Sequence, residues 1–241
     1  MATLPPHRSE GLTTRPNDDY IAAFAPEVEL AAESSALLLV DFQRALASRT
    51  DGLGRMLASS GRLGDAAYRF ERIERTAVPN AARLLAEWRR LDQQRLFLTV
   101  GSEVSDYSDL PPHLRELCRQ TNNRAGEPEH DSLPELRPLP NEPVLNKRSL
   151  SPFATTPLER LLRLQGVDTV VVAGVTTNMC VEHTVRDAAD RGFGCVLVED
   201  ACAADEPEMH AATLRVVERL YGRVATTADL LEEVTAACTT S

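Results

Sequence analysis

Short apolar runs recur along the chain, and they limit its architecture more than any other feature. They are ALLLVD at 36–41, RLFLTV at 95–100, TVVVAG at 169–174, CVLVED at 195–200 and RVATT at 223–227, with PVLNK at 143–147 a further short candidate. A run that is apolar at successive positions has no solvent face, so these strands belong to a sheet covered on both sides.

The intervals between them carry helical spacing: Leu84, Leu85, Trp88 and Leu91; Leu158, Leu161 and Leu162; Val181, Thr184, Val185 and Ala188; Met209, Val216, Val217 and Leu220. Alternating strand and helix predicts right-handed crossovers and an α/β fold whose ligand lies beyond the carboxyl ends of the strands. Residues 1–34 lack sustained periodicity and are read as an irregular arm, a candidate for packing on a neighbouring subunit, ahead of one domain over 35–241. Two long insertions, 45–70 and the Pro-rich 101–142, are expected to be functional covers or interface elements that carry substrate specificity.

The formal net charge of −10 argues against duplex nucleic acid or an anionic membrane surface as a partner, leaving a small-molecule substrate. No apolar run approaches a membrane span, and the first twenty residues lack the apolar core of a signal peptide, so a cytoplasmic location is expected. Five scattered cysteines without a CxxC argue for reduced thiols over a disulfide framework or a zinc knuckle.

Three residues stand where strands end. Asp41 closes the first run. Lys147, the only lysine among 26 basic residues, closes PVLNK. Cys180 follows TVVVAG at the opening of a helix. A thiol at a helix N-terminus beside an ammonium is biased toward thiolate, and a nearby carboxylate can take its proton and return it to a leaving amine. Singly, each has a plainer reading: buried small hydrophobe for the Cys, turn or cap for the Asp, surface charge for the Lys.

The motifs LLLVDFQ with Asp41 and Gln43, NKRSLSPF with Lys147, GVTTNMCVEHTVRDAADRGF with Cys180, and then VLVEDACAA occur in this order. Together they resemble the isochorismatase-like cysteine hydrolase family from about residue 35 to 230, most specifically over 144–204 and least in the two insertions. The resemblance implies a three-layer α/β/α sandwich with a mainly parallel sheet of about six strands. It also implies an Asp–Lys–Cys triad at Asp41, Lys147 and Cys180, and a cis peptide between Val175 and Thr176 that aims the Thr176 N–H, beside that of Cys180, at an oxyanion. A homodimer or homotetramer is the family habit.

The wording around Cys180 is closest to members acting on ureido or carbamoyl compounds, which implies hydrolysis of a C–N bond. Relatives of the nicotinamidase type hold a metal through histidines after the first Asp, whereas residues 42–112 here contain no histidine, so no metal and no other cofactor is expected. An isochorismatase-type enol-ether hydrolase and a non-catalytic binding member are the alternatives; the intact triad residues argue against the second. Candidate substrate contacts, from position alone, are Phe42, Gln43, Arg44, Ser102, Asn122 and Arg124. His183, three residues after Cys180, is the last candidate.

Overall fold

The structure, a computed structural model, describes residues 20, 21 and 24–239, without the side chains of 32 and 236–239, so most of the expected N-terminal arm lies outside the described residues. Six strands form one sheet: β1 Ser35–Val40, β2 Gln94–Val100, β3 Val144–Lys147, β4 Thr169–Val175, β5 Gly194–Ala203 and β6 Arg223–Ala225. Their order is β3-β2-β1-β4-β5-β6, and every pairing is parallel. The winding reverses between β1 and β4, which opens a crevice at their carboxyl ends.

Alternate residues of the strands feed two cores, which is why runs apolar at every position were needed. Leu37, Leu39, Phe97, Val171 and Ala173 face one side, against Leu84, Leu85 and Trp88 of the helix Val78–Arg90 and Leu230 and Val234 of the helix Thr227–Thr239. Leu38, Val40, Leu96, Leu98 and Val172 face the other, against Leu158 and Leu162 of Leu158–Leu164 and Val185 and Ala188 of Glu182–Asp190. A third, small apolar cluster lies over the strand ends. In it Leu114 and Cys118 of the helix Pro112–Gln120 meet Tyr107, Leu110, Val100, Ala45 and Leu46.

The structure departs from the sequence reading at several places. β5 runs on to Ala203 through a register shift opposite Val172 and Gly174. RVATT yields a strand only to Ala225, because Thr227 starts the last helix and its N–H and hydroxyl both donate to Asp200 Oδ1. Met209 and Leu220, expected on a buried face, are 40% and 44% exposed; the helix Pro207–Val216 ends in a π-helical turn, Val217–Tyr221, whose wider pitch breaks the spacing at Leu220. The end of the arm packs on its own chain, with Leu30 in the core and Glu29 O accepting from Thr169 Oγ1. Among the described residues no helix is long and apolar enough to cross a membrane.

Candidate active site

The carboxyl ends of β1, β3 and β4 bring Asp41, Lys147 and Cys180 together. Lys147 Nζ donates to Asp41 Oδ2 at 2.8 Å and lies 3.3 Å from Cys180 Sγ and 3.3 Å from Ser149 O. Asp41 and Lys147 are 0% exposed and Cys180 is 6% exposed. Asp41 Oδ1, equally buried, has no hydrogen-bond partner among the described residues.

Local sequence explains each placement. Asp41 has φ 53°, a left-handed backbone that Asp tolerates better than most residues, and it stops β1 while its N–H still donates to Leu98 O. Val40 pairs with Gly174, where an added Cβ would lie 2.3 Å from Val40 O, so only glycine permits the two strands to approach here. Beyond Val175 the Val175–Thr176 peptide is cis, and a π-helical turn, Thr177–Val181, carries Cys180 into the helix Glu182–Asp190.

Burial alone would lower the Lys147 pKa, but the Asp41 charge and the contacts with Asp41 and Cys180 outweigh it and hold the ammonium above its ordinary value. Burial raises the Asp41 carboxyl, opposed by the Lys147 charge. Burial, reinforced by the Asp41 charge, pushes the Cys180 thiol up to about 12. Desolvation thus works against the bias toward thiolate that the helix terminus and the ammonium supply. Burial favours the neutral thiol, and Asp41 Oδ1, without a partner among the described residues, is placed to accept its proton.

The remaining candidates are engaged elsewhere. Gln43 is buried; its Nε2 donates to Asn123 Oδ1 and His130 O, and its Oε1 accepts from Val100 N–H, tying β2 to the second insertion. Phe42 is 4% exposed and packs in the core. Arg44 pairs with Asp51, Ser102 Oγ lies 2.6 Å from Asp109 Oδ1, Asn122 donates to Glu129, and Arg124 pairs with Glu127. His183 is exposed, with Nδ1 3.0 Å from Met179 O.

The sequence reading missed two arginines, Arg69, which is buried, and Arg72, which is partly buried. Arg69, at the end of the first insertion, reaches Thr176 directly, and Arg72, just beyond it, reaches Thr177 through His210. Among so many arginines neither had a distinguishing signal, since Asp65, Glu71, Glu74 and Arg75 make the surrounding stretch look like an ordinary charged helix. Among the described residues no group of His, Cys, Asp and Glu is arranged to hold a metal.

A family model, the Isochorismatase domain, matches residues 35–229. Ureidoacrylate amidohydrolase RutB of Methylorubrum extorquens is 31% identical over 208 residues, 82% of this chain and 82% of that one. Maleamate amidohydrolase of Pseudomonas putida is 30% identical over 158 residues, 66% of this chain and 74% of that one. A cysteine hydrolase from Pseudomonas syringae pv. phaseolicola 1448A superposes with a TM-score of 0.72 at 24% identity, over 88% of this chain and 98% of its own, a likeness of fold. From strand order to sequence match, the chain belongs to the isochorismatase family, among whose members are amidohydrolases.

Proposed function

We propose that the protein is a cysteine-dependent amidohydrolase that cleaves a C–N bond of a small amide, carbamoyl or ureido compound through a thioester. One observation carries the reading: a buried thiol lies 3.3 Å from an ammonium that also holds a carboxylate at 2.8 Å, and the carboxylate keeps one oxygen unpartnered. Relatives named ureidoacrylate and maleamate amidohydrolase support the choice of bond.

In this mechanism Asp41 Oδ1 accepts the Cys180 proton as Sγ bonds to the carbonyl carbon. The carbonyl oxygen becomes an oxyanion that accepts from the Thr176 and Cys180 N–H groups. Collapse breaks the C–N bond, and Asp41 returns the proton to the leaving nitrogen. Water then adds to the thioester with Asp41 again as base, releasing the acid and the thiol. Lys147 keeps Asp41 ionised and stabilises the thiolate as it forms. The protein does not rely on a standing thiolate, so proton transfer and attack are coupled.

Ammonia release from a panel of primary amides, ureido acids and biuret-like compounds, with Cys180→Ala as control, tests the reading. Turnover that Cys180→Ala abolishes is the expected result. No turnover on any compound, together with iodoacetamide labelling of Cys180 no faster than of Cys118, would overturn it.

A further inference from the structure

The Thr176 carbonyl accepts from the N–H groups of Met179 and Val181, and the Thr176 hydroxyl accepts from Arg69 Nη1 at 2.9 Å. No hydrogen bond runs from the Thr176 N–H among the described residues. Its aim is therefore set by what grips the rest of the residue. Arg69 is 3% exposed; the same Nη1 donates to Asp205 Oδ1 at 2.9 Å, and Nη2 donates to Leu46 O at 2.9 Å. One guanidinium thus joins the segments that follow β1, β4 and β5.

Arg72 lies one turn further along the same helix, Ala67–Arg72, and so on the same side. It donates to Cys202 O, to Glu199 O and, from Nη2, to His210 Nε2 at 2.9 Å. An arginine only donates, so in this contact Nε2 accepts and the ring proton is left to Nδ1; Glu199 Oε2 lies farther off, 3.8 Å from Nε2. Nδ1 lies 2.9 Å from Thr177 Oγ1 and donates to it.

We propose that the helix Ala67–Arg72 is a two-armed brace for the turn before Cys180: Arg69 through Thr176, and Arg72 through His210 and Thr177, are positioning residues that aim the Thr176 N–H. The inference rests on the amidohydrolase reading. Among the described residues neither arginine hydrogen-bonds to Asp41, Lys147 or Cys180, and an apolar side chain would fill the space without desolvating a cation. A guanidinium provides several fixed donors in one plane, which a lysine cannot. On this view the first insertion, expected to set specificity, acts on the chemistry from behind.

Two reactions of Cys180 separate aiming from general damage. Iodoacetamide is attacked at a tetrahedral carbon with loss of iodide, and no oxyanion forms. Propionaldehyde adds the thiol across its carbonyl, Sγ to carbon and the proton to oxygen, placing that oxygen where the oxyanion would lie. Aldehyde affinity is read as protection of Cys180 from iodoacetamide, followed by mass spectrometry. For Arg69→Lys and Thr176→Val the expected result is an alkylation rate within about twofold of the parent and aldehyde affinity weaker by at least about tenfold. Arg72→Lys shifts affinity in the same direction by a smaller factor.

Should Arg69→Lys fail to fold, Thr176→Val, which removes only the gripped hydroxyl, decides. Parent-like aldehyde affinity in the variants overturns the brace alone, and equal loss in both reactions does the same by marking the arginines as merely structural. A parent protein that forms no aldehyde adduct overturns the amidohydrolase reading, and the brace with it.

Discussion

The Lys147 ammonium lies 2.8 Å from Asp41 Oδ2, and neither side chain touches solvent. A buried pair of this kind is costly to half-remove, because the survivor is left as an uncompensated charge. Lys147→Met should therefore destabilise the fold by about 3–5 kcal/mol. Lys147→Arg keeps the charge on a longer planar fork at a fully buried position, so turnover should fall at least about 100-fold while most stability remains. Urea melts and ammonia release on the same preparations check both; near-parent turnover in Lys147→Arg would make the ammonium geometry irrelevant.

The thiol supplies a spectroscopic test. With Cys180 pushed up to about 12, the parent minus Cys180→Ser difference at 240 nm should show no thiolate step between about pH 5 and 9. A step near neutrality would mean that the ammonium outweighs burial, and that attack begins from a standing thiolate.

The inner strands were legible because they are apolar on both faces, and the meeting of Asp41, Lys147 and Cys180 because each lies at or beyond the end of a strand. Cys180 and Lys147 can be paired from their places in the sequence, since parallel strands deliver their carboxyl ends to one side. The candidate contacts were less legible. Arg44, Asn122 and Arg124 form ion pairs or hydrogen bonds within the insertions, where partner choice depends on loop paths that local sequence does not specify. The desolvation of the thiol was not legible for a related reason: burial is a property of the whole packing, whereas the helix terminus is visible in a few residues.

Glu142 gives a pH test remote from the site. Its side chain is 1% exposed and accepts from Arg89 and Arg95. Burial raises its pKa, but the two guanidinium groups and the Leu139 N–H outweigh this and bring it to about 2, from an unfolded value near 4.5. A carboxyl depressed in the folded state adds stability above its unfolded pKa and loses it as pH falls toward the folded one. At pH 7 the shift corresponds to about 3 kcal/mol. Glu142→Gln should be destabilised by roughly that amount at neutral pH, with the gap to the parent narrowing below about pH 4.5. Chemical denaturation at several pH values measures it, and a gap that does not narrow would assign the loss to packing.

Gly174 links the fold to the site most directly. A Cβ there would stand 2.3 Å from Val40 O and 2.6 Å from Val40 Cβ, and the residue has φ 156°, a conformation that side chains rarely adopt. Relief of the contact must move β4 away from the end of β1, and Asp41 is the next residue after Val40. Gly174→Ala should therefore lower stability by about 1–3 kcal/mol, the usual range for overpacking, and also disturb the carboxylate against the thiol. Turnover should fall by more than the loss of folded protein explains, with the excess in kcat. A thermal melt, paired with kinetics at a temperature where the variant is fully folded, separates the two effects. A fully folded Gly174→Ala protein with parent kcat would show that Asp41 is held independently of the β1–β4 approach.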